Sequence, residues 1–212
     1  MKAIKPYVEI IDMNHYDEII KKIEKIGRVC YKSEANISED SAERFISNII
    51  RRGHESVIEH EAITVRMVCD RGVTHEIVRH RIASYSQEST RYCNYMGDKF
   101  DHQITVIDLA GGFEYDLSKE NDRAKYEIWT KAMNSCEKAY FDMLELGATP
   151  QEARSVLPNS LKTEIVITMN LRSWRNFFRL RCDVAAHPQM REVACIALDI
   201  FKEKLPIFFS DL

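Results

Sequence analysis

Residues 79–91 read Arg79-His80-Arg81-Ile82-Ala83-Ser84-Tyr85-Ser86-Gln87-Glu88-Ser89-Thr90-Arg91. Three arginines, a histidine and three serines stand in this stretch, and His75 and Glu76 closely precede it. Guanidinium groups keep their charge at any physiological pH and present a planar fork of donors that matches phosphate. Serine hydroxyls add neutral donors, and an imidazole donates or accepts near pH 7. Such a set suits an anionic, oxygen-rich ligand, most simply a nucleotide or a phosphorylated cofactor. Composition alone would favour a solvated basic face paired with Glu76 and Glu88. The order of the residues decides against that.

Upstream, residues 62–69 alternate apolar and polar over most of their length, a strand with one wet face. Asp70-Arg71-Gly72 reads as a turn, and 73–82 returns to helix spacing. The arginine stretch is therefore expected to begin late in a helix and run on as a loop. Residues 7–11 form a strand, and 14–26 a helix with Ile19, Ile20, Ile23 and Ile26 on one face and Gly27 as its stop. Ser38 is expected to cap the next helix by accepting from the Ser41 amide. Phe45, Ile46, Ile49 and Ile50 give that helix its apolar face, and Gly53 ends it.

Downstream, 103–108 is a strand and 121–146 the longest helix, with Trp129, Met133 and Tyr140 on a wide apolar stripe and Gly147 beyond its end. Thr149-Pro150 marks N-cap and first residue of a short helix carrying Arg154. A strand over 162–169 precedes helices over 171–182 and 188–204. Neither a GxGxxG run nor a phosphate-loop sequence occurs. The expected fold is α+β, a single domain over 1–212 with a mostly antiparallel central sheet flanked by long helices.

With 212 residues, 45% hydrophobic and 30% charged, the chain can bury most of one core. A formal net charge of -3 argues against a general binder of nucleic-acid polymers. Basic groups concentrate in 66–91 and 172–191, which leaves room for a local anion site. The six cysteines show no CxxC pair, and the opening Met1-Lys2-Ala3-Ile4-Lys5-Pro6 has no apolar run. No stretch approaches the roughly 18 apolar residues of a membrane span. Reduced thiols and a cytoplasmic location, without a membrane partner, are expected.

Gly53-His54-Glu55-Ser56-Val57-Ile58-Glu59-His60 invites a metal reading, but His54 and His60 are not one helical turn apart. His75-Glu76 is followed at the required position by Arg79, so no metal is expected. In 169–181, helix spacing places Arg172, Arg175 and Arg179 on one face, with Asn176 one turn from Arg172.

Arg-His-Arg, two residues, Ser, four residues, Ser, one residue, Arg resembles the signature of the flavin-dependent thymidylate synthases. Arg79, His80, Arg81, Ser84, Ser89 and Arg91 fill its fixed positions. The His-Glu-x-x-x-Glu-His run at 54–60 looks like the family's flavin-contacting loop. Asn170-x-Arg172-Ser173 with Asn176-Phe177 and Arg181 is similar to its C-terminal site segment, and Gln151-Glu152-Ala153-Arg154 to an element that meets the nucleotide. The chain departs from the pattern at three places. Ser86 stands where Asn is frequent, Glu76 where some members carry Gln, and His187 is displaced from the usual histidine.

The resemblance implies synthesis of thymidylate (dTMP) from deoxyuridylate (dUMP), with 5,10-methylenetetrahydrofolate as one-carbon donor and FAD reduced by NADPH. It assigns His54, Ser56, Glu59, Arg79, His80, Arg81, Gln87, Asn170, Arg172 and Asn176 to FAD. To dUMP it assigns Glu76, Val78, Arg79, Gln87, Glu88, Ser89, Thr90, Arg91, Arg154 and Arg181. Arg91 and Arg154 suit the phosphate. Arg181, beside the uracil, would stabilise charge spreading over the base and is the catalytic candidate. A homotetramer with shared sites is also implied. The rival expectation is a nonenzymatic nucleotide- or RNA-binding module using the same arginines.

Overall fold

The computed structural model describes all residues, 1–212. Its centre is an antiparallel pair, β3 (Ala62–Asp70) against β6 (Lys162–Asn170), in register from Ala62 opposite Asn170 to Asp70 opposite Lys162. Alternation gives each strand two faces. Ile63, Val65 and Met67 lie opposite Met169, Ile167 and Ile165 and are buried, whereas Thr64 and Thr168 share a hydroxyl hydrogen bond of 2.9 Å on the other face. β2 (Tyr7–Asp12) and β4 (Ser84–Gln87) flank the pair, giving the order β2-β3-β6-β4. The expected class, α+β with an antiparallel sheet, is what the chain adopts. A small parallel pair joins β1 (Lys2–Ile4) to β5 (Thr105–Ile107).

The inner sheet face meets α1 (Tyr16–Tyr31), α2 (Ser41–Arg51), α7 (Leu171–Arg181), α8 (Pro188–Lys204) and the short α9 (Pro206–Phe209). Trp174 is fully buried, donates from Nε1 to the Ile63 carbonyl at 3.1 Å, and contacts the rings of Phe177, Phe178 and Phe201. The remaining elements are α3 (Arg71–Ile77), α4 (Leu109–Gly112), α5 (Glu120–Glu145) and α6 (Pro150–Ala153). A second, smaller cluster links α5 and α6 to β5 through Met133, Tyr140, Ala153, Val106 and Leu161. The Met1 ammonium closes it on Glu137 at 2.7 Å. No helix is long and apolar enough to cross a membrane.

Several boundaries differ from expectation, each for a visible reason. α1 runs through Gly27 to a left-handed cap at Lys32, φ 49°. Gly27 serves packing: a Cβ there would stand 2.5 Å from Cε1 of Phe45. Ser38 does not cap α2. Instead the Ser41 hydroxyl accepts from the Ser38 amide at 2.9 Å and donates to the buried Glu24 at 2.9 Å. Asp70 ends β3 and caps α3, its carboxylate accepting from the Val73 amide at 2.7 Å. α3 stops at Ile77, so Arg79 lies beyond the helix, and Ser84–Gln87 pairs with β6 as a strand rather than running as a loop. Along α5 only Met133 and Tyr140 are buried, and Ile128 is 72% exposed.

Candidate functional site

α7 follows β6 without a break because Asn170 caps it, its side-chain oxygen accepting from the Ser173 amide at 2.8 Å. Trp174, Phe177 and Phe178 then point into the core, leaving Arg172, Asn176 and Arg179 on the opposite side. Facing them, the chain leaving α3 presents Arg79, His80 and Arg81. The 3-10 turn Glu55–His60 supplies Glu55 and Glu59. Between these three walls lies a cleft of about 780 Å³, within the roughly 300–1,000 Å³ range of ligand sites.

The cleft carries an excess of positive charge. Arg79, Arg81, Arg172, Arg179 and Arg181 line it against Glu55 and Glu59. Arg172 pairs with Glu59 at 2.5 Å and Arg179 with Glu55 at 2.9 Å, while Arg79 and Arg81 form no ion pair. Arg175, expected on the same face as Arg172 and Arg179, is turned inward and only 1% exposed.

Arg181 is fixed on three sides. Nη1 donates to the Glu76 carboxylate at 2.8 Å, Nη2 to the Glu76 carbonyl at 3.1 Å, and Nε to His80 Nε2 at 3.0 Å. The charge of Glu76 is thus matched by Arg181. Accepting at Nε2 requires His80 to be neutral with its ring proton on Nδ1. Burial first, and the Arg181 cation second, push the imidazole down from 6.5 to about 4. The unfolded chain takes up a proton below pH 6.5 that the folded chain resists until about pH 4. His80 therefore subtracts stability as pH falls through that window and has no such effect above it. An NMR titration should place the His80 midpoint near pH 4; a midpoint at the ordinary 6.5 would show that the imidazole is not buried against Arg181 in solution.

Of the nucleotide-assigned residues, Gln87 to Arg91 sit at the end of β4 and in the turn after it, whereas Arg79 and Arg181 line the cleft and Glu76 pairs with Arg181. Gln87 donates to the hydroxyls of Thr74 at 3.1 Å and Thr163 at 3.3 Å, and Glu88 pairs with Lys162 at 2.9 Å. Gln87 and Glu88 are thereby occupied by neighbours within the chain. The Ser89 hydroxyl accepts from the Arg91 amide at 3.3 Å. Arg154, though 64 residues from Thr90, reaches its hydroxyl at 3.5 Å. Arg91 and Arg154 are exposed and have no carboxylate partner, and Val78 is 40% exposed. No three His, Cys, Asp or Glu side chains converge as a metal would require.

A family model described as "Thymidylate synthase complementing protein" matches residues 10–207. The chain is 33% identical over 192 residues to the flavin-dependent thymidylate synthase of Geobacter sulfurreducens, covering 87% of this chain and 78% of that protein. It is 37% identical over 169 residues to the flavin-dependent thymidylate synthase of Pyrococcus furiosus, covering 79% of this chain and 66% of that protein. The chain belongs to the flavin-dependent thymidylate synthase family.

Of the positions that resemblance to the flavin-dependent thymidylate synthases assigned to flavin, Glu59, Arg79, His80, Arg81, Asn170, Arg172 and Asn176 line the one cleft. Gln87 and Ser56 do not. His54 lies apart too, bonded to the Tyr31 hydroxyl at 2.8 Å beside a smaller recess of about 180 Å³ with Arg28 and Arg52. His187 is exposed at the start of α8, edge-on to Phe113, and does not line the cleft. Sequence reading missed Glu55, Ser173 and Arg179 as lining residues. The helix spacing had already put Arg179 beside Arg172, and that was the available signal.

Proposed function

We propose that this chain converts deoxyuridylate to thymidylate, taking its one-carbon unit from 5,10-methylenetetrahydrofolate and reducing equivalents from NADPH through FAD. The observation that carries this reading is the convergence of Arg79, His80 and Arg81 with Asn170, Arg172 and Asn176 on one cationic cleft. The donor set fits a flavin dinucleotide. Unpaired Arg79 and Arg81 match a pyrophosphate, while Asn176 and the Nδ1–H of His80 offer neutral donors for ring oxygens. FAD supplies the redox chemistry, and the protein binds and orients it.

On the nucleotide side, Arg91 and Arg154 take the 5′-phosphate with Ser89. Arg181 faces the base, where its remaining N–H groups stabilise negative charge as the ring becomes nucleophilic. Ser89 binds rather than attacks, because its oxygen accepts a backbone N–H and has no neighbouring base to activate it. Neither Cys69 nor Cys182 suits a nucleophile: burial pushes the Cys69 thiol up, and burial with Cys195 beside it pushes Cys182 up to about 12. A purely nucleotide- or RNA-binding module would leave the neutral His80 and the α7 amides without a role.

Arg91 and Arg154 do not line their own chain's cofactor cleft, and Ile128 on α5 and Leu146 just beyond it are exposed. Both features support a homotetramer whose sites draw residues from more than one subunit. Six free cysteines favour the cytoplasm. The purified protein should carry a flavin absorbance band. Arg81→Ala should weaken FAD binding by roughly 10- to 150-fold, as expected for one charge-assisted contact. Asn176→Ala should weaken it by about fivefold with the fold intact. Colourless protein that fails to take up added FAD would overturn the assignment.

A further inference from the structure

Arg175 is the only buried cation of the chain, and its donors are almost fully used. Nε donates to Glu55 Oε1 at 2.9 Å; Nη1 donates to the Phe208 carbonyl and, at 2.7 Å, to Asp211; Nη2 donates to Asp211 at 2.6 Å. The same Glu55 oxygen accepts from Arg179 Nη2 at 2.9 Å. One carboxylate is thus shared by a buried arginine and an arginine that lines the cleft. Burial would raise the Glu55 carboxyl, but the Arg179 and Arg175 hydrogen bonds outweigh it and hold the group below its ordinary value. Asp211 is likewise held down, by Arg175.

We infer that Arg179 binds the anionic pyrophosphate portion of the dinucleotide cofactor, and that Arg175, clamped by Asp211, is the positioning residue that aims it through the shared Glu55. This rests on the reading of the cleft as the FAD site and adds a contact that neither motif segment marks. Arg179 is 44% exposed, and only Nη2 is engaged, so its other N–H groups remain for a ligand. Arg175 acts in two ways that push in the same direction. It fastens the Glu55–His60 turn to α7, which keeps Arg179 from swinging. It also draws on the Glu55 charge, which leaves Arg179 incompletely neutralised and able to attract phosphate. With Arg175 removed, Glu55 would be left to Arg179 alone, and the cleft would lose effective positive charge.

The test compares FAD with riboflavin, which has the flavin ring but no phosphate, in binding titrations of the full chain. Arg179→Ala should weaken FAD by about tenfold and leave riboflavin within twofold of wild type. Arg175→Met should also weaken FAD by several-fold. In the Arg179→Ala background it should add less than about twofold, because residues acting through one contact are not additive. Equal loss of FAD and riboflavin would mark a structural role and overturn the inference. Full additivity would overturn the positioning role of Arg175. Should Arg175→Met fail to fold, the exposed Arg179→Ala variant still decides whether the phosphate contact exists. Unchanged FAD affinity in Arg179→Ala, with wild type binding FAD normally, sinks the inference alone; a wild type that binds neither flavin sinks the FAD reading as well.

Discussion

Arg181→Ala should turn over deoxyuridylate roughly 30- to 1,000-fold more slowly than wild type even at saturating nucleotide, a loss of about 2–4 kcal/mol of transition-state stabilisation. The guanidinium is held by Glu76 and His80, which fixes its orientation toward charge developing on the base. An interaction that strengthens in the transition state lowers kcat when it is lost. Arg91 contrasts with it. The phosphate contact proposed for Arg91 is equally strong in ground and transition states, so Arg91→Ala should chiefly raise KM. Reduction of the flavin by NADPH alone should survive in the Arg181 variant, because that half-reaction does not involve the uracil. Steady-state profiles and anaerobic flavin bleaching on both variants separate these roles. Wild-type kcat in Arg181→Ala would remove its role in activating the base.

The largest effect on stability is expected from Trp174→Ala, about 3–5 kcal/mol. The side chain is fully buried and stacked on Phe178, with Phe177 and Phe201 edge-on or tilted against it. Alanine would open a cavity that this ring cluster cannot fill without leaving its rotamers. It would also leave the Ile63 carbonyl without its indole donor. Because α7 carries Arg172 and Asn176 on its other side, part of the flavin should be lost before global unfolding. Urea denaturation followed by both far-UV dichroism and flavin release measures this. A destabilisation under about 1 kcal/mol would mean that α7 is not held by this ring.

The strands were legible because their alternation is local: 162–169 and the first part of 62–69 show one buried face, and the structure pairs the two strands residue for residue. The Thr149-Pro150 start was equally local, and appears as a full capping box with Glu152. Gly27 misled because a glycine late in a helical run is a stop by habit. What keeps it inside α1 is Phe45, which belongs to another helix. Arg175 misled in the same way, since helical spacing puts it near Arg172 while its burial is set by Asp211 at the far end of the chain. The cleft residues were readable as a motif, not as a geometry. Nothing local says that Arg181 Nε meets His80 Nε2 across 101 positions, or that Glu55 joins the same cleft.

On the proposed reading of the site, the two hydrophobic clusters divide the ligand surfaces between them. Residues beneath the cleft of Arg79, Arg172 and Arg179 belong to the large cluster around Trp174, whereas Ala153, next to Arg154 in the chain, belongs to the small one closed by Met1 and Glu137. Substitutions in separate clusters that share no partner contribute nearly additively to folding free energy. Each half of the site consequently has its own tolerance for change. A lineage could alter the phosphate side, even at some loss of stability, without eroding the packing that holds α7 under the flavin. In evolutionary terms the chain is modular within a single domain.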